Sequence, residues 1–205
     1  EAVVFHSNGV GGQAMEELAA DGLFVGVIDY TTDELTDELV GGFHDAGPER
    51  LRRIGRLGLS QVVVPGCIDF SVHGRPDAVP PKFHGRPVYT HNPEFTLVRT
   101  LPDEMAALGR IFAERLNEAT GQVAVMIPTR GLSIPNVPGG VFWNPDADAR
   151  FTEALRADLR SDIPVSTHAH HINDQAFADA VAGRFLDLLQ LSGLSPTKDR
   201  TPCPC

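Results

Sequence analysis

"VVFHSNGVGGQAMEEL" (Val3–Leu18) sets the terms on which the rest of the chain is read. An apolar run ends at Phe5, three polar residues follow (His6, Ser7, Asn8), then a glycine cluster (Gly9, Gly11, Gly12), then an amphipathic helical pattern over 13–20. Strand, glycine turn and helix in that order open many nucleotide-binding α/β folds, and many ordinary strand-to-helix turns as well. Three readings fit. In the first, the turn's backbone and the helix N-terminus hold a phosphate or carboxylate. In the second, the glycines only let the helix pack closely on the sheet. In the third, Gly9, Gly11 and Ala14 follow G-x-G-x-x-G/A and Asp29, about 20 residues on, takes a ribose. The polar residues before the glycines count against a dinucleotide, so the anion site ranks first, the plain turn second and NAD third.

Apolar runs with the character of strands recur at 2–5, 24–29, 61–66, 87–91, 122–128 and 163–168. Helical patterns lie between them at 13–20, 33–40, 48–57, 102–119, 146–159 and 174–191. Near-continuous apolar strands alternating with helices predict an α/β fold: a Rossmann-like, doubly wound, mostly parallel sheet with helices on both faces. One domain over 1–191 follows, with 192–205 as a disordered tail. The stretch 68–86, "IDFSVHGRPDAVPPKFHGR", lacks periodicity and reads as a long binding loop.

A net charge of −10 argues against a nucleic-acid surface, which needs clustered Lys and Arg. No apolar run approaches the ~20 residues of a membrane span, and no signal peptide is visible. With three cysteines, two of them in the tail "TPCPC", a zinc site or structural disulfide is not expected, and a reducing, cytoplasmic setting is. A chain that opens in a strand reads as a piece of a longer protein lacking its N-terminal portion.

Ligands of such sheets bind beyond the strands' carboxyl ends. Polar groups collect there: His6, Ser7 and Asn8; Asp29, Thr31 and Thr32; Asp69; His91 and Asn92; Thr129, Arg130 and Ser133; His168, His170, His171 and Asp174. Arg130, followed by glycine, is the leading anion contact, since a guanidinium matches carboxylate or phosphate bidentately. Arg99 divides evenly between that role and a structural ion pair. Asp29 divides evenly between a ligand contact and a structural hydrogen-bonding partner. His6, Asp29 and His91 are the candidates for proton transfer. No metal site is expected; His171, Asp174 and Asp69 are the weak candidates for one, lacking any ligand-spacing motif. Cys67 reads as a small buried hydrophobe.

Seven stretches taken in order resemble one family: "HSNGVGGQAMEEL", "GVIDYTTDELTDELVGG", "PGCIDF", "HNPEFTLVRT", "PTRGLS", "PGGVFWNPDAD" and "HINDQAFA". It is the tomato mosaic virus resistance protein-like, ATP-binding family, and the resemblance covers about Val3–Phe185. It implies a protein of about twice this length built from two Rossmann-like halves, of which this chain is similar to the C-terminal one. It also implies ATP and Mg²⁺ as candidate cofactors, without tying them to this half. Its plant member is similar to an antiviral factor that binds a viral replication protein.

Two functions are therefore carried forward. One is a ligand-binding domain for a small anion or nucleotide, with catalysis on a small metabolite left open. The other is a non-catalytic module that pairs with an N-terminal ATP-binding half or with a second copy of itself. Its contact points are the loop 68–86, Phe142 and Trp143, although Trp143 fits a core equally well. An NAD-dependent oxidoreductase is the weaker alternative.

Overall fold

A computed structural model describes residues 1–193. The chain runs α1 (Val10–Ala20), β1 (Gly26–Thr31), α2 (Asp33–Val40), α3 (Arg53–Arg56), β2 (Ser60–Gly66), β3 (Phe70–His73), β4 (Val88–Thr90), β5 (Thr96–Arg99), α4 (Pro102–Leu116), β6 (Val123–Pro128), α5 (Pro145–Asp158), β7 (Val165–His168) and α6 (Gln175–Leu191). β1, β2, β6 and β7 form a parallel sheet in that order, which runs in one direction without reversing. The fold is α/β and Rossmann-like.

The sheet's two faces follow from the alternation of side chains along each strand. Val63, Val125 and Ile127 point to one side, under Leu108, Phe112 and Leu116 of α4 and Phe151 and Leu155 of α5. Val27 on that face meets Met15 of α1 and Ile54 of α3. Val62, Val64, Ala124 and Met126 point to the other side, under Phe177, Val181 and Leu188 of α6. β2 and β6 are buried at every position, and this is why they read as unbroken apolar runs. The helices are set by local signals. Asn144 accepts the Ala147 N–H at 3.0 Å to start α5, with Pro145 in the first turn. The Glu104 carboxylate takes the Leu101 N–H at 2.8 Å to start α4.

Four expectations are corrected. Residues 2–5 form no strand; Val3 and Val4 are 61% and 92% exposed, because no neighbouring strand is there to pair with them. The stretch 87–91 does not join the parallel sheet. β4 pairs antiparallel with β5, and β5 with β3, in a separate three-stranded sheet. The stretch 68–86 is therefore not one loop: it contains β3 and two short 3-10 turns, Pro76–Ala78 and Pro81–Phe83. Finally, only Arg53–Arg56 of the expected helix 48–57 is helical, since Arg50 turns into the interior and Leu51 takes φ 73°. Of the expected tail, Ser192 packs onto the fold through a 2.8 Å hydrogen bond with Ser60, and residues 194–205 lie outside the described part. No helix among the described residues is long and apolar enough to cross a membrane.

Candidate functional site

Because the four strands of the main sheet are parallel, their carboxyl ends share one crest. The glycine turn lies at its β1 end. The Gly9 and Gly12 N–H groups both donate to Glu34 Oε1, at 2.8 and 3.1 Å, and the Gly11 N–H donates to Asn8 Oδ1 at 3.0 Å. The anion at the N-terminus of α1 is thus the chain's own carboxylate, delivered from α2. It satisfies N–H groups that the first turn of a helix leaves open, and it complements the helix dipole. A Cβ on Gly12 would overlap that carboxylate and lie 2.6 Å from Arg50 Nε, so only glycine fits there.

Arg50 completes the plug. Its Nε donates to Glu34 Oε2 at 2.5 Å, its Nη1 to Asp29 Oδ2 at 2.8 Å and to Glu16 Oε1 at 3.2 Å, and its Nη2 to Asp29 Oδ1. All four side chains are at most 3% exposed. Burial opposes the Arg50 charge, but Asp29, Glu34 and Glu16 overcome it and raise its pKa. One guanidinium facing three carboxylates leaves excess negative charge in the interior. Burial, with the charge of Asp29 added, pushes Glu16 up to about 7 against the pull of Arg50. Asp29 is therefore an anchor for Arg50 and not a group at the surface. Thr32 is likewise fully buried, its hydroxyl donating to the Val64 carbonyl at 3.2 Å. Thr31, by contrast, is half-buried.

Above the plug sits a cluster that the sequence did not announce. Ser7 Oγ donates to Asp33 Oδ1 at 2.7 Å, while His44 Nδ1 meets Asp33 Oδ2 at 2.8 Å. The backbone of His44 is fixed as well, its N–H donating to Asp37 Oδ2 at 2.8 Å. The other oxygen of Asp37 takes the Val72 N–H at 2.9 Å and ties α2 to the small sheet. Burial pushes Asp37 up to about 7, and the charge of Asp33 adds to it. Burial alone would lower His44, but hydrogen bonding to Asp33 and the charges of Asp33, Asp37 and Glu34 raise it. The ring stands edge-on to Phe95, with centroids 6.3 Å apart.

The β6–β7 end of the crest differs. The loops after these strands continue side by side: Thr129 N–H donates to the His168 carbonyl at 2.8 Å, Arg130 N–H to His170 at 2.9 Å, and Ile172 N–H to Gly131 at 3.0 Å. Gly131 has φ 130°, and a Cβ there would overlap the Asn136 carbonyl and lie 2.6 Å from the His171 ring. Arg130 is exposed, and its guanidinium has no hydrogen-bond or ion-pair partner among the described residues. Ser133 is buried and donates to Asp69 Oδ2 at 2.7 Å. Asp69 Oδ1 has no partner among the described residues, and burial lifts this carboxyl to about 6. Both ring nitrogens of His171 are engaged, Nε2 with the Ser133 carbonyl at 2.9 Å and Nδ1 with the Asn173 N–H at 3.1 Å. Asp174 is exposed and accepts the His171 N–H at 2.9 Å. No group of three His, Cys, Asp or Glu among the described residues is arranged to hold a metal ion.

The remaining candidates are scattered. His6 is exposed beside the glycine turn. His91 and Asn92 lie at the β4–β5 hairpin and not at the end of a parallel strand; Asn92 Oδ1 shapes that turn by accepting the Glu94 and Phe95 N–H groups at 2.9 Å. Arg99 takes the structural alternative, 4% exposed and paired with Asp148 at 2.5 Å. Phe142, expected at a contact surface, is 1% exposed and packs on Phe70 and Leu97, while Trp143 is half-buried. The Cys67 thiol is pushed up by burial and by the charges of Asp33 and Asp69.

Comparison with known proteins places the chain. Residues 1–189 match the model of the C-terminal domain of the uncharacterised protein family UPF0261. The chain is similar to a UPF0261 protein of Rhizobium meliloti (41% identical over 190 residues) and to one of Clostridium tetani (37% over 191 residues). It covers 48% and 47% of those proteins, while 92% and 93% of the chain is aligned. It is also similar to the ToMV susceptible protein tm-1(GCR26) of Solanum lycopersicum, 35% identical over 195 residues, which are 94% of the chain and 26% of that protein. The chain thus spans about half the length of these bacterial relatives, and it belongs to the UPF0261 family, matching its C-terminal domain.

Proposed function

We propose that this chain is a ligand-binding α/β domain that takes a small anion, a phosphate, carboxylate or nucleotide, at the β6–β7 end of its crest. The observation that carries this is the unpaired guanidinium of Arg130. Buried arginines of this fold, such as Arg50, Arg99 and Arg115, are tied to carboxylates. Arg130 stands at a strand's carboxyl end with its backbone locked by His170 and by Gly131. The glycine turn is not the anion site in this reading, because its N–H groups are already spent on Glu34.

The crest is open, and the bacterial relatives are about twice as long. The rest of the longer protein therefore supplies the opposite wall of the site, in a reducing, cytoplasmic setting. Ile134 and Val141, 66% and 48% exposed in the loop after β6, favour the second reading, a module that docks onto an ATP-binding N-terminal half or a second copy.

Calorimetric titration with ATP, with and without Mg²⁺, separates the two. Saturable binding that Arg130→Ala abolishes establishes the ligand site. Absence of heat up to millimolar ATP and sulfate leaves the docking module, for which light scattering reads self-association.

A further inference from the structure

We propose that the small sheet carries a binding site for a small neutral molecule, an apolar ring bearing a hydroxyl group, in the cleft between β4–β5 and the segment 76–85. The inference goes beyond the anion-binding reading and shares no residue with it. The cleft has a volume of about 270 Å³, larger than the ~150 Å³ that admits benzene in an apolar cavity. Its walls are Pro76, Val79, Phe83 and Val88, with the exposed His84 at the rim and the buried Thr96 beneath.

Strand alternation decides which side chains meet the ligand. Val98 packs with Phe83 and Val79, so Thr96, two residues earlier on β5, faces the same side. His73 stands directly opposite Thr96 in the β3–β5 register, and its ring centroid lies 4.3 Å from that of Phe83. Both side chains are buried, yet Thr96 Oγ1 and His73 Nδ1 have no hydrogen-bond partner among the described residues. Buried polar groups are rarely left so, and these two belong to facing residues of one strand pair.

The two atoms define the polar end of the ligand. His73 Nε2 is bonded to Ser71 Oγ at 2.8 Å, which leaves Nδ1 as the free position of the ring. Burial, with the charges of Lys82 and Arg86 added, lowers the His73 pKa to about 4, so the ring is neutral at neutral pH. Those two cations are committed elsewhere, Lys82 to the Val40 carbonyl and Arg86 to Glu104. The floor therefore offers no charge to a carboxylate or phosphate. Facing side chains of an antiparallel pair start about 4.5–5.5 Å apart at Cβ, a span that one hydroxyl oxygen bridges. It accepts from Thr96 Oγ1 and either donates to His73 Nδ1 or accepts from it, according to the tautomer. Thr96 reaches the cleft by a rotation of about 120° about χ1, which places Oγ1 where the methyl stands. The ring of the ligand then lies against Val79, Phe83 and Val88.

Phenol and toluene are the probes, matched in shape and differing in the hydroxyl. Each is titrated into the chain while the backbone amide signals of Phe83, Val88 and Thr96 are followed by NMR. Toluene leaves water more readily, so a cleft without the polar contact prefers toluene. The expected result is saturable shifts at these three residues, with phenol bound about tenfold tighter than toluene. Thr96→Val, close in shape to the wild-type side chain, reverses that order. Val88→Phe fills the cleft from an exposed position on an edge strand and abolishes binding of both probes. Urea unfolding midpoints verify that both variants are folded.

Toluene bound as tightly as phenol, or more tightly, makes the cleft an apolar surface dimple and overturns the proposal. Phenol that keeps its advantage in Thr96→Val overturns it as well, because the hydroxyl then meets some other group. So does the absence of saturable shifts at Phe83, Val88 and Thr96 at tens of millimolar phenol.

Discussion

The two ends of the crest carry the same raw materials, glycine and arginine beside a strand's carboxyl end, and use them in opposite ways. At the β1 end the turn 9–12 receives Glu34, and Arg50 neutralises that carboxylate together with Asp29 and Glu16. At the β6–β7 end the backbone is pinned as tightly, but Arg130 is left with nothing to hold among the described residues. A glycine turn before a helix is therefore no proof of a ligand. What matters is whether the fold brings its own anion to the turn.

The largest expected effect falls on the plugged end. Arg50→Met leaves Asp29, Glu34 and Glu16 facing one another without a cation. Removing one partner of a buried ionic cluster costs about 3–5 kcal/mol, read as a lower midpoint in urea unfolding. Arg50→Lys does not rescue it, because an ammonium cannot reproduce the fork to Asp29 and the Nε bond to Glu34. An unchanged midpoint in Arg50→Met would remove the distinction between the two ends.

Next comes Gly12→Ala. The added methyl overlaps the Glu34 carboxylate, so α1 must shift or the plug must open, at a cost of about 1–3 kcal/mol. If the open plug exposes the turn, the variant gains a weak sulfate site at Gly9–Gly12. That outcome would show the plug to be a displaceable internal ligand.

A smaller effect is carried by pH. Glu16 has a folded pKa of about 7 against 4.5, so its carboxyl favours the folded state below about 4.5, and this contribution is lost as the pH rises to about 7. Glu16→Gln keeps an acceptor for the Leu51 N–H, now 2.7 Å from Glu16 Oε1, and removes the charge. Thermal unfolding between pH 4.5 and 8 is expected to slope downward in the wild type and less so in the variant. Part of the slope persists, because Asp37 is raised from 3.8 to about 7 and loses its contribution over an overlapping window.

How much of this was legible in the sequence depends on where the cause lies. β2 and β6 were plain because burial on both faces writes an apolar run. β3 and β5 were not: each is four residues long and mixes Phe70, Val72, Leu97 and Val98 with Ser71, His73, Thr96 and Arg99. Glu34 reads as an early acid complementing its own helix, yet it closes the turn of α1, 25 residues from Gly9. Arg50 in "GPERLRR" falls within the stretch 48–57 expected as a helix, and spacing carries no sign that it turns inward. His44 sits in "GGFHDAG", a loop by composition, and gains its partner only when α2 delivers Asp33. The position of Arg130 just past the carboxyl end of β6 was legible, because a strand end followed by glycine is a local feature.

The smallest expected effect on stability is at Arg130. The side chain is exposed and makes no bond among the described residues, so Arg130→Ala shifts the unfolding free energy by no more than about 0.5 kcal/mol. The same substitution removes the unpaired guanidinium that the anion reading assigns to the ligand, so affinity for sulfate or ATP falls while the unfolding midpoint stays. Arg50→Met has the inverse signature: the midpoint drops steeply, and the affinity of the molecules that remain folded is unchanged, because Arg50 touches no ligand in this reading. If Arg130→Ala lowers the midpoint as much as Arg50→Met does, both ends of the crest are structural, and the ligand site lies outside this chain.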